Sequence, residues 1–551
     1  MPRYRLAGVR ARTPKIVNLA TVARLLGIPR EGLSDFALVR RSLDARQKPV
    51  LYWEIAVEFT SATDLDLTPE APLRLSPAEP PPAPAPLLPE LDTKAKVAIV
   101  GTGPAGLFAA LALVDAGVPV TILERGDPAE DRYRKVMKFW TSGVFDPESN
   151  VQFGEGGAGT FSDGKLTCGK RQDKVKVVLE TFHRFGAPDS ILVDAKPHIG
   201  TDRLVVVLRN IRKHLLEHGA TLRYRAKVTD LRTRPDGSLA GLTLESGEDV
   251  PADVAIFALG HSARDTMDVL NARGVAMTRK HFAMGVRIEH PQDAVDLIQY
   301  AQVSTECGVQ PADYKQAHVA SNGRGIYTFC MCPGGEVIAC SSEPGGVVTN
   351  GMSRYKRSSG YANAGIVVQT KDVDFDAMPG PELLRGRELQ RRVEAAAFAA
   401  AGGTYAAPAL RVTDFLRSRE RPISPRPLPK TTYGPWVTPV SFDGILPEPY
   451  LEALAEGLKA FDRKMPGFVS EEAVLFAPES RTSSPVRIER DGWCESTSVP
   501  GLYPAGEGAG FAGGIVSAAL DGLRVARHVR ARLAGERLEP EKSTIFKGPE
   551  Y

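Results

Sequence analysis

The chain alternates between short apolar runs and stretches in which apolar residues recur every three or four positions. Apolar runs with the length of buried strands lie at residues 96–100, 119–123, 220–231, 252–259 and 501–507. Helical spacing is found at residues 107–115, 201–218 and 515–524. Strands that alternate with helices are typical of an α/β fold with a parallel sheet.

The first part of the chain, residues 1–68, is predicted to form a small α+β domain of its own. Residues 4–9 and 49–59 have the composition of strands, and residues 18–27 show helical spacing that ends in glycine. Nine prolines then fall within residues 69–92. Because proline lacks a backbone N–H and favours an extended conformation, this stretch is predicted to be a Pro-rich linker.

A glycine-rich motif of GxGxxG spacing joins the strand at 96–100 to the helix that follows it. Its first glycine allows a tight turn, its second lets a pyrophosphate approach the backbone, and its third lets helix and strand pack closely. The helix amino terminus then faces the anionic group. The motif predicts a dinucleotide-binding turn made by Gly101, Thr102, Gly103, Pro104, Ala105 and Gly106.

The second strand of this unit ends in an acid, Glu124, which lies 18 residues after the third glycine of the motif. Its carboxylate is expected to accept hydrogen bonds from the ribose hydroxyls of the cofactor and to repel a 2′-phosphate. Arg125 follows directly and is predicted to contact the cofactor as well.

A second glycine-rich site near the carboxyl end indicates that the dinucleotide is FAD. Gly506 and Glu507 end a short strand, and Gly513 and Gly514 lead into an apolar helix that begins at Ile515. A second helix amino terminus that returns to the same sheet suits a long cofactor whose ring becomes negatively charged on reduction. An enzyme that uses only NAD has no need of such a site.

The two glycine sites lie at opposite ends of a long body. We predict a Rossmann-like FAD-binding domain made of residues 93–270 and 491–540, with a mixed, β-rich substrate domain, residues 271–490, inserted between the two parts. The strand–helix alternation stops near residue 270 and resumes near 490, as an insertion would make it do.

Composition and charge exclude several other classes of protein. The 551 residues carry 69 Lys and Arg against 66 Asp and Glu, and a net charge of +3 gives no overall attraction to nucleic acid. Six cysteines are too few for a secreted disulfide scaffold. With no signal peptide and no apolar run long enough to span a bilayer, we expect a cytoplasmic protein without a membrane partner.

The small amino-terminal domain departs from this balance, with 11 Lys and Arg against 5 Asp and Glu up to Thr60. A basic patch at Arg40, Arg41, Arg46 and Lys48 would suit RNA or an acidic partner. The simpler interpretation is a solvated face or a surface that docks onto the main body, and we expect a small-molecule substrate rather than a nucleic-acid partner.

Longer motifs extend the assignment to nearly the whole chain. They are VQFGEGGAGTFSDGKL at 151–166, HIGTD at 198–202, FCMCPGG at 329–335, RTSSPVR at 481–487 and YPAGEGAG at 503–510. With them the chain resembles the two-dinucleotide-binding-fold flavoproteins related to glutathione reductase. More narrowly, it is similar to a bacterial family of uncharacterised FAD-dependent dehydrogenases. This resemblance implies FAD binding and redox chemistry, and it supplies no substrate.

The resemblance also implies roles for residues between the two glycine sites. Val228 would help shape the adenine pocket, and Gly260 would return the chain to the cofactor. A glycine-rich segment would line the pyrophosphate and the flavin, or alternatively only pack against them, through Gly156, Gly157, Ala158, Gly159 and Ser162.

The candidates for acid–base chemistry are few. His198 precedes a helix and is predicted to act as a general acid or base or to contact substrate, with His261 second. Lys165 is predicted to hold an anion or to face N1 of the flavin. Thr201 is a candidate helix cap, and Arg481 and Arg487 are candidates for binding a carboxylate substrate or the flavin.

The cysteines leave three alternatives open. Cys330 and Cys332 in a β-like run would point to one face and form a redox pair. With Cys307 and Cys340 they would hold iron and sulfur, although the spacings match no ferredoxin run and we predict no metal. Buried, inert thiols are the third alternative.

The sequence therefore predicts an FAD-dependent oxidoreductase, a dehydrogenase or reductase that transfers hydride through flavin N5. We find no second complete strand–GxGxxG–helix unit, so NAD(P)H would act only as a transient reductant over the flavin, unless the substrate itself reduces it. The alternatives are a flavin-dependent RNA-modifying enzyme and a non-catalytic electron-transfer flavoprotein.

Overall fold

The computed structural model describes residues 1–68, 71–79, 86–169 and 172–540. Two large sheets dominate it, one parallel and one mixed, and a separate four-stranded sheet lies at the amino end. The parallel sheet with flanking helices confirms the predicted α/β fold. No helix within these ranges is both long and apolar enough to cross a membrane.

The amino-terminal sheet is antiparallel, with the strand order β2-β3-β1-β4. Its elements are β1 (Arg3–Ala11), α1 (Leu19–Leu26), β2 (Leu33–Gln47), β3 (Val50–Ser61) and β4 (Arg74–Pro77). Asn18 caps α1 by accepting a hydrogen bond from the Thr21 amide at 3.1 Å, and Gly27 ends it in the left-handed conformation.

Two of these strands differ from the prediction. β2 was not predicted, because most of its residues are half-buried and charged side chains interrupt its alternation. β4 lies within the stretch predicted as a linker. It pairs only with β1, at the edge of the sheet, where prolines are tolerated. Residues 69–70 and 80–85 of that stretch lie outside the described residues.

The next part of the chain builds most of the parallel sheet and its helices. Its elements are β5 (Val97–Val100), α2 (Pro104–Asp115), β6 (Val120–Leu123), α3 (Ala129–Ser142), α4 (Gln172–Arg184), α5 (Ser190–Val193), α6 (Thr201–Glu217), β7 (Thr221–Arg223), β8 (Val228–Thr233), β9 (Leu239–Leu244), β10 (Asp249–Pro251), β11 (Val254–Phe257) and α7 (Arg264–Ala272).

The remaining elements form the mixed sheet and return to the parallel one. They are β12 (Met277–Arg279), β13 (Ala283–Pro291), α8 (Gln292–Tyr300), α9 (Ser304–Cys307), β14 (Ala317–Val319), β15 (Gly325–Cys332), β16 (Glu336–Ala339), β17 (Thr349–Met352), β18 (Tyr361–Gln369), α10 (Asp372–Asp376), α11 (Arg385–Ala400), β19 (Ala407–Arg411), α12 (Val412–Ser418), β20 (Val437–Pro439), α13 (Glu448–Lys464), β21 (Val474–Glu479), β22 (Val486–Ile488), β23 (Leu502–Pro504) and α14 (Ile515–Leu533).

The parallel sheet has the order β23-β11-β5-β6-β7, and all its neighbouring strands run parallel. The order reverses direction between β5 and β11, and ligands of such sheets bind beyond the carboxyl ends of the strands at that point. α14 packs closely on α2, since a Cβ added at Gly522 would lie 2.1 Å from the Ala105 carbonyl oxygen.

Three local predictions are corrected here. The single strand expected at 220–231 is two strands, because β7 joins the parallel sheet while β8 joins an antiparallel sheet of order β10-β9-β8. Thr201 is the first residue of α6 and not its cap. Its hydroxyl donates to the Ser162 carbonyl at 3.0 Å, and Gly200 occupies the cap position. α14 extends well beyond the predicted residue 524.

The mixed sheet has the order β14-β15-β18-β13-β21-β19-β20, and only β19 and β20 run parallel. Buried side chains of α11 and α13 join it in one apolar core. β12 pairs with β22, so a two-stranded ladder marks the place where the chain leaves and re-enters the region of the parallel sheet.

Candidate functional site

A large cavity of about 1440 Å³ opens at the carboxyl ends of β5 and β11. The predicted site residues that line it are Gly101, Thr102, Gly103, Pro104, Ala105, Glu124, Arg125, Gly157, Ala158, Gly159, Ser162, Lys165, Val228, Gly260, Gly506, Glu507, Gly513, Gly514 and Ile515. Gly106, Gly156 and His198 do not line it. The structure thus brings together residues that are about 400 positions apart in the sequence.

The glycines of the first motif have three different surroundings. Gly101 has a φ of 98°, and a Cβ there would lie 2.4 Å from the Ala258 carbonyl oxygen. A Cβ at Gly106 would lie 2.0 Å from the Gly101 carbonyl oxygen, so this position serves helix packing. At Gly103 the nearest atom would be the Gly157 Cα at 3.9 Å, which leaves the turn open towards the cavity.

Gly103 is also the N-cap of α2, and no side chain caps that helix. The first amides of a helix have no partners within it and carry the positive end of its dipole. The open side of the turn is therefore suited to an anion such as a pyrophosphate.

Glu124 is held by the protein itself. One carboxylate oxygen accepts from the amide of Thr102 at 3.0 Å and from its hydroxyl at 2.6 Å. The other accepts from the amides of Gly126 at 2.9 Å and Gly154 at 3.1 Å. These four donors match the capacity of a carboxylate. Here Glu124 fixes the glycine turn, and its binding of ribose stays a prediction.

The glycine-rich segment is organised by a residue that the sequence reasoning missed. Arg132 of α3 is completely buried. Its guanidinium donates to the carbonyls of Asn150 at 2.8 Å, Val151 at 2.8 Å and Glu155 at 2.7 Å. Gly154 must stay a glycine beside it, because a Cβ there would lie 2.5 Å from the Arg132 Cδ. An arginine on an amphipathic helix gives no sequence signal for this role.

The carboxyl-terminal glycines form the opposite wall. α14 begins after Gly514, which has a φ of 97°, and no side chain caps this helix. Glu507 accepts from the Gly514 amide at 3.4 Å, and burial raises the pKa of Glu507 to about 7. Two uncapped helix amino termini, those of α2 and α14, thus belong to the wall of one cavity.

Arg125 and Val228 belong to the wall beyond β6. The Arg125 guanidinium lies over the Phe153 ring at 4.0 Å and donates to both carboxylate oxygens of Asp265 at 2.9 Å. The arginine is thus fixed in place, with an aromatic face below it.

His198 lies behind the wall of the cavity. Its Nε2 is 3.0 Å from the Tyr355 carbonyl oxygen, its ring stacks on that of Tyr355, and it is only 5% exposed. In contrast, His261 and Lys165 line the cavity. Burial, with Arg481 and Arg264 nearby, lowers the pKa of His261 to about 3.

Arg481 is buried and already paired. Its guanidinium binds both carboxylate oxygens of Glu394, at 3.0 and 2.8 Å, and its remaining terminal nitrogen donates to Ser342. The same carboxylate also binds Arg264 at 2.9 Å. Arg481 therefore belongs to a buried ion-pair network with Glu394 of α11 and Arg264 of α7, which leaves it few hydrogen-bond donors for a ligand.

The cysteines do not gather into a metal site. Among the described residues, no three His, Cys, Asp or Glu side chains are placed to hold a metal ion. All six cysteines are free thiols, and Cys340 accepts a contact from the Gln152 side chain at 2.6 Å. Cys330 lies in the cavity wall, whereas Cys332 is fully buried behind it.

The cavity continues past the glycine sites to the mixed sheet. There its wall comes from the start of β13, from β14 and β15, and from the segment between β18 and α10. Side chains that line this outer half include Lys280, His281, His318, Tyr327, Phe329 and Lys371.

Two protein families match the chain. The family of FAD-dependent proteins described as C-terminal domain-like matches residues 281–482, and the FAD binding domain family matches residues 94–136. An uncharacterised protein of Clostridium beijerinckii is 39% identical over 518 residues, which cover 92% of this chain and 94% of that protein.

Two solved structures are similar at lower identity. Glycerol-3-phosphate dehydrogenase from Bacillus halodurans, complexed with FAD, is 11% identical, with a TM-score of 0.35 over 82% of this chain and 68% of that one. A flavoprotein/dehydrogenase from Cytophaga hutchinsonii is 13% identical, with a TM-score of 0.35 over 82% of this chain and 81% of that one.

Proposed function

The chain belongs to the family of FAD-dependent oxidoreductases, and from this premise we propose that it transfers hydride between bound FAD and a small-molecule substrate. Within that family we place it with the uncharacterised FAD-dependent dehydrogenases that its long motifs resemble. When bound, FAD accepts or donates a hydride at N5 of its ring. The protein's part is to bind, orient and exclude water.

One part of the cavity wall suits the pyrophosphate, the anionic group in the middle of such a cofactor. The space above Gly103, where an added Cβ would meet nothing closer than 3.9 Å, lies at the uncapped amino terminus of α2. Gly157 packs against the backbone of this turn, since a Cβ added at Gly157 would lie 3.0 Å from the Gly103 Cα. We propose that these backbone amides hold the pyrophosphate, and that Arg125 and Val228 contact the adenosine half.

The carboxyl-terminal glycines fit the other half of the cofactor. The amino terminus of α14, after Gly513 and Gly514, would stabilise negative charge on a reduced ring. We propose that Glu507 binds the ribityl or pyrophosphate region. Because its pKa is raised to about 7, this carboxyl group is partly protonated at neutral pH and can donate a hydrogen bond.

The extent of the cavity is the observation that carries an enzymatic function over an electron carrier. Its wall continues beyond the two glycine sites to β14 and β15 of the mixed sheet. This outer part is lined by residues other than those proposed to hold the cofactor. A carrier would need no such chamber, whereas a dehydrogenase needs room for its substrate beside the cofactor.

Two titratable side chains in the wall are candidates to handle a proton. His261 has a pKa lowered to about 3, so its imidazole is neutral at pH 7 and can offer a lone pair or an N–H. The Lys165 Nζ is 4.0 Å from a carboxylate oxygen of Asp163, and both residues lie in the wall. We propose Lys165 as the anion-binding group, while His198 would act only by supporting the wall.

We also propose that NADH or NADPH acts as a transient reductant, without a domain of its own. The six free thiols fit a reducing, cytoplasmic compartment.

An absorbance spectrum of the purified protein, followed by anaerobic titration with NADH and NADPH, tests this proposal. We expect flavin absorbance that bleaches with one of the two nucleotides. Bound flavin that neither nucleotide reduces would leave a substrate-reduced dehydrogenase. A colourless protein that cannot be loaded with FAD would contradict the proposed function.

A further inference from the structure

We propose that Cys330 and Cys332 form a reversible dithiol–disulfide pair that exchanges two electrons with the flavin. This inference rests on the proposed binding of FAD in the cavity. The pair lies on the mixed sheet, far from both glycine sites in the sequence. It would hold two electrons in addition to the two that the flavin holds.

The pair lies where β15 meets the cavity. The register between β15 and β18 shifts between Phe329 and Cys332, so Cys330 lies in a bulge. Bulges re-aim side chains and are common beside active sites. Cys330 lines the cavity, while Cys332 is fully buried directly behind it.

A buried arginine holds the bulge in an unusual backbone conformation. Cys330 has a φ of 42°, a region that non-glycine residues rarely adopt. The fully buried Arg287 donates to the Cys330 carbonyl oxygen at 3.2 Å, and its guanidinium is fixed by Glu479 at 2.9 Å and Asn363 at 2.7 Å. Strained backbone that its surroundings enforce in this way is typical of functional sites.

The Cys332 thiol lies beside the backbone of Cys330. It donates a hydrogen bond to the Cys330 carbonyl oxygen, and these two atoms are 3.3 Å apart. The bulge adds a residue to β15, so the two cysteines do not follow the regular alternation of a strand.

The surroundings shift the pKa values of the two thiols in opposite directions. The hydrogen bond from Cys332, with help from Lys165 and Arg287, lowers the pKa of the Cys330 thiol. The same hydrogen bond and burial raise the pKa of Cys332. Cys330 is therefore the more easily ionised of the two, and the thiolate is the reactive form of a cysteine.

The exchange balances in atoms and electrons. As the disulfide forms, the Cys330 thiolate and the Cys332 thiol together lose two electrons and one proton. Oxidised FAD takes up the two electrons and the proton and becomes the reduced anionic flavin. In the reverse direction the S–S bond breaks, and the pair recovers one thiolate and one thiol.

Cys340 provides a matched control within the same sheet region. It is also buried, but it does not line the cavity, and burial raises its pKa to about 11. Its thiol is therefore protonated at neutral pH and unreactive. We expect reversible oxidation at Cys330 and Cys332 and none at Cys340.

The first test is an anaerobic reductive titration of the FAD-loaded protein with dithionite. We expect the wild-type protein to take up four electrons per FAD, two in the flavin and two in the disulfide. Cys330→Ser and Cys332→Ser should each take up two, and Cys340→Ser should still take up four. Flavin absorbance in all four proteins shows that the cofactor is bound.

The second test needs no flavin. The FAD-free Cys340→Ser protein is oxidised with ferricyanide and digested with trypsin. Because Cys340 is replaced, Cys330 and Cys332 are the only two cysteines in the tryptic peptide 325–354. We expect that peptide to lose two hydrogen atoms by mass. In the reduced protein, iodoacetamide at pH 7 should label Cys330 before Cys332.

The outcomes separate the two proposals. Uptake of only two electrons by the wild-type holoprotein, with a peptide that stays reduced, overturns this inference and leaves the proposed function standing. A chain that cannot be loaded with FAD overturns the proposed function, and with it the exchange with flavin.

Discussion

Gly103 and Gly106 belong to one motif, yet the structure requires glycine at each for a different reason. An added Cβ at Gly106 would collide with the backbone of the turn, at 2.0 Å from the Gly101 carbonyl oxygen. An added Cβ at Gly103 would meet only the Gly157 Cα, at 3.9 Å. The chain therefore tolerates a side chain at Gly103, and only a ligand would be displaced by it.

We predict that Gly103→Ala folds as the wild-type protein does but binds FAD at least about tenfold more weakly, which is about 1.4 kcal/mol. Isothermal titration of FAD into the apoprotein measures the affinity, and the melting temperature measures folding. Gly32→Ala is the matched control, because its Cβ would also have its nearest neighbour at 3.9 Å. Equal FAD affinity in the two variants would contradict the proposed pyrophosphate site.

The residues that the sequence predicts well are those whose role depends on backbone geometry. Gly101 and Gly514 are examples, since both need a positive φ that glycine supplies. His198 and Glu124 are different. Their direction and partners depend on tertiary contacts, with Tyr355 in one case and with Gly154 in the other. No local pattern contains that information.

At the scale of elements, α3 holds the glycine-rich segment through one side chain. The buried guanidinium of Arg132 donates to several backbone carbonyls of residues 150–155. Without it the buried carbonyls of Asn150 and Val151 would lose their donor, at a cost of about 1–3 kcal/mol each. The carbonyls of Gly154 and Glu155 also accept from the Gly157 amide and the Thr160 hydroxyl. The segment therefore depends on α3 as well as on its own glycines.

We predict that Arg132→Met lowers the free energy of unfolding by about 3 kcal/mol or more and weakens FAD binding. Urea unfolding and FAD titration measure the two effects. Arg134→Met, two positions along the same helix with a side chain 76% exposed, should change stability by less than about 0.5 kcal/mol. A small effect at Arg132 would mean that the segment is held by its own packing.

The sequence predicts the elements around the parallel sheet better than those elsewhere. β5, β6 and β11 are buried apolar runs, which their composition reveals. β2 and β4 are edge or half-exposed strands, and partners far along the chain decide that they are strands at all. The same holds for the division of the predicted strand 220–231 between two sheets.

At the scale of the molecule, the basic patch of the amino-terminal sheet contacts the body. Arg41 pairs with Asp194 just after α5, and its carbonyl accepts from the Ala195 amide at 3.0 Å. The Lys48 ammonium donates to the Ile298 carbonyl oxygen at 2.6 Å. Arg46 is paired within its own strand, with Asp44. These contacts favour the docking interpretation of the patch over an RNA-binding one.

We predict that Arg41→Ala and Asp194→Asn each speed amide hydrogen exchange in β2 to the same extent. Hydrogen exchange in the double variant should be no faster than in either single variant, because both substitutions remove the same ion pair. The coupling energy between the two side chains is expected to be about 0.5–1 kcal/mol, as for partly exposed pairs. Arg46→Ala is the control and should leave the exchange near Asp194 unchanged. If Arg41→Ala instead abolishes RNA binding while Asp194→Asn does not, the patch is a nucleic-acid surface.

The position of β23 and α14 has a consequence for how the protein is made. Gly101 and Gly506 are about 400 residues apart, and both form the wall of one cavity. At about 5–20 residues per second, a ribosome needs roughly 20–80 s to travel from one to the other. Throughout that time α14 has not been synthesised, and the apolar surface of α2 that it covers in the folded protein stays exposed. We therefore expect the nascent chain to capture FAD only when translation is nearly complete, and this helix is where we expect a chaperone to be needed.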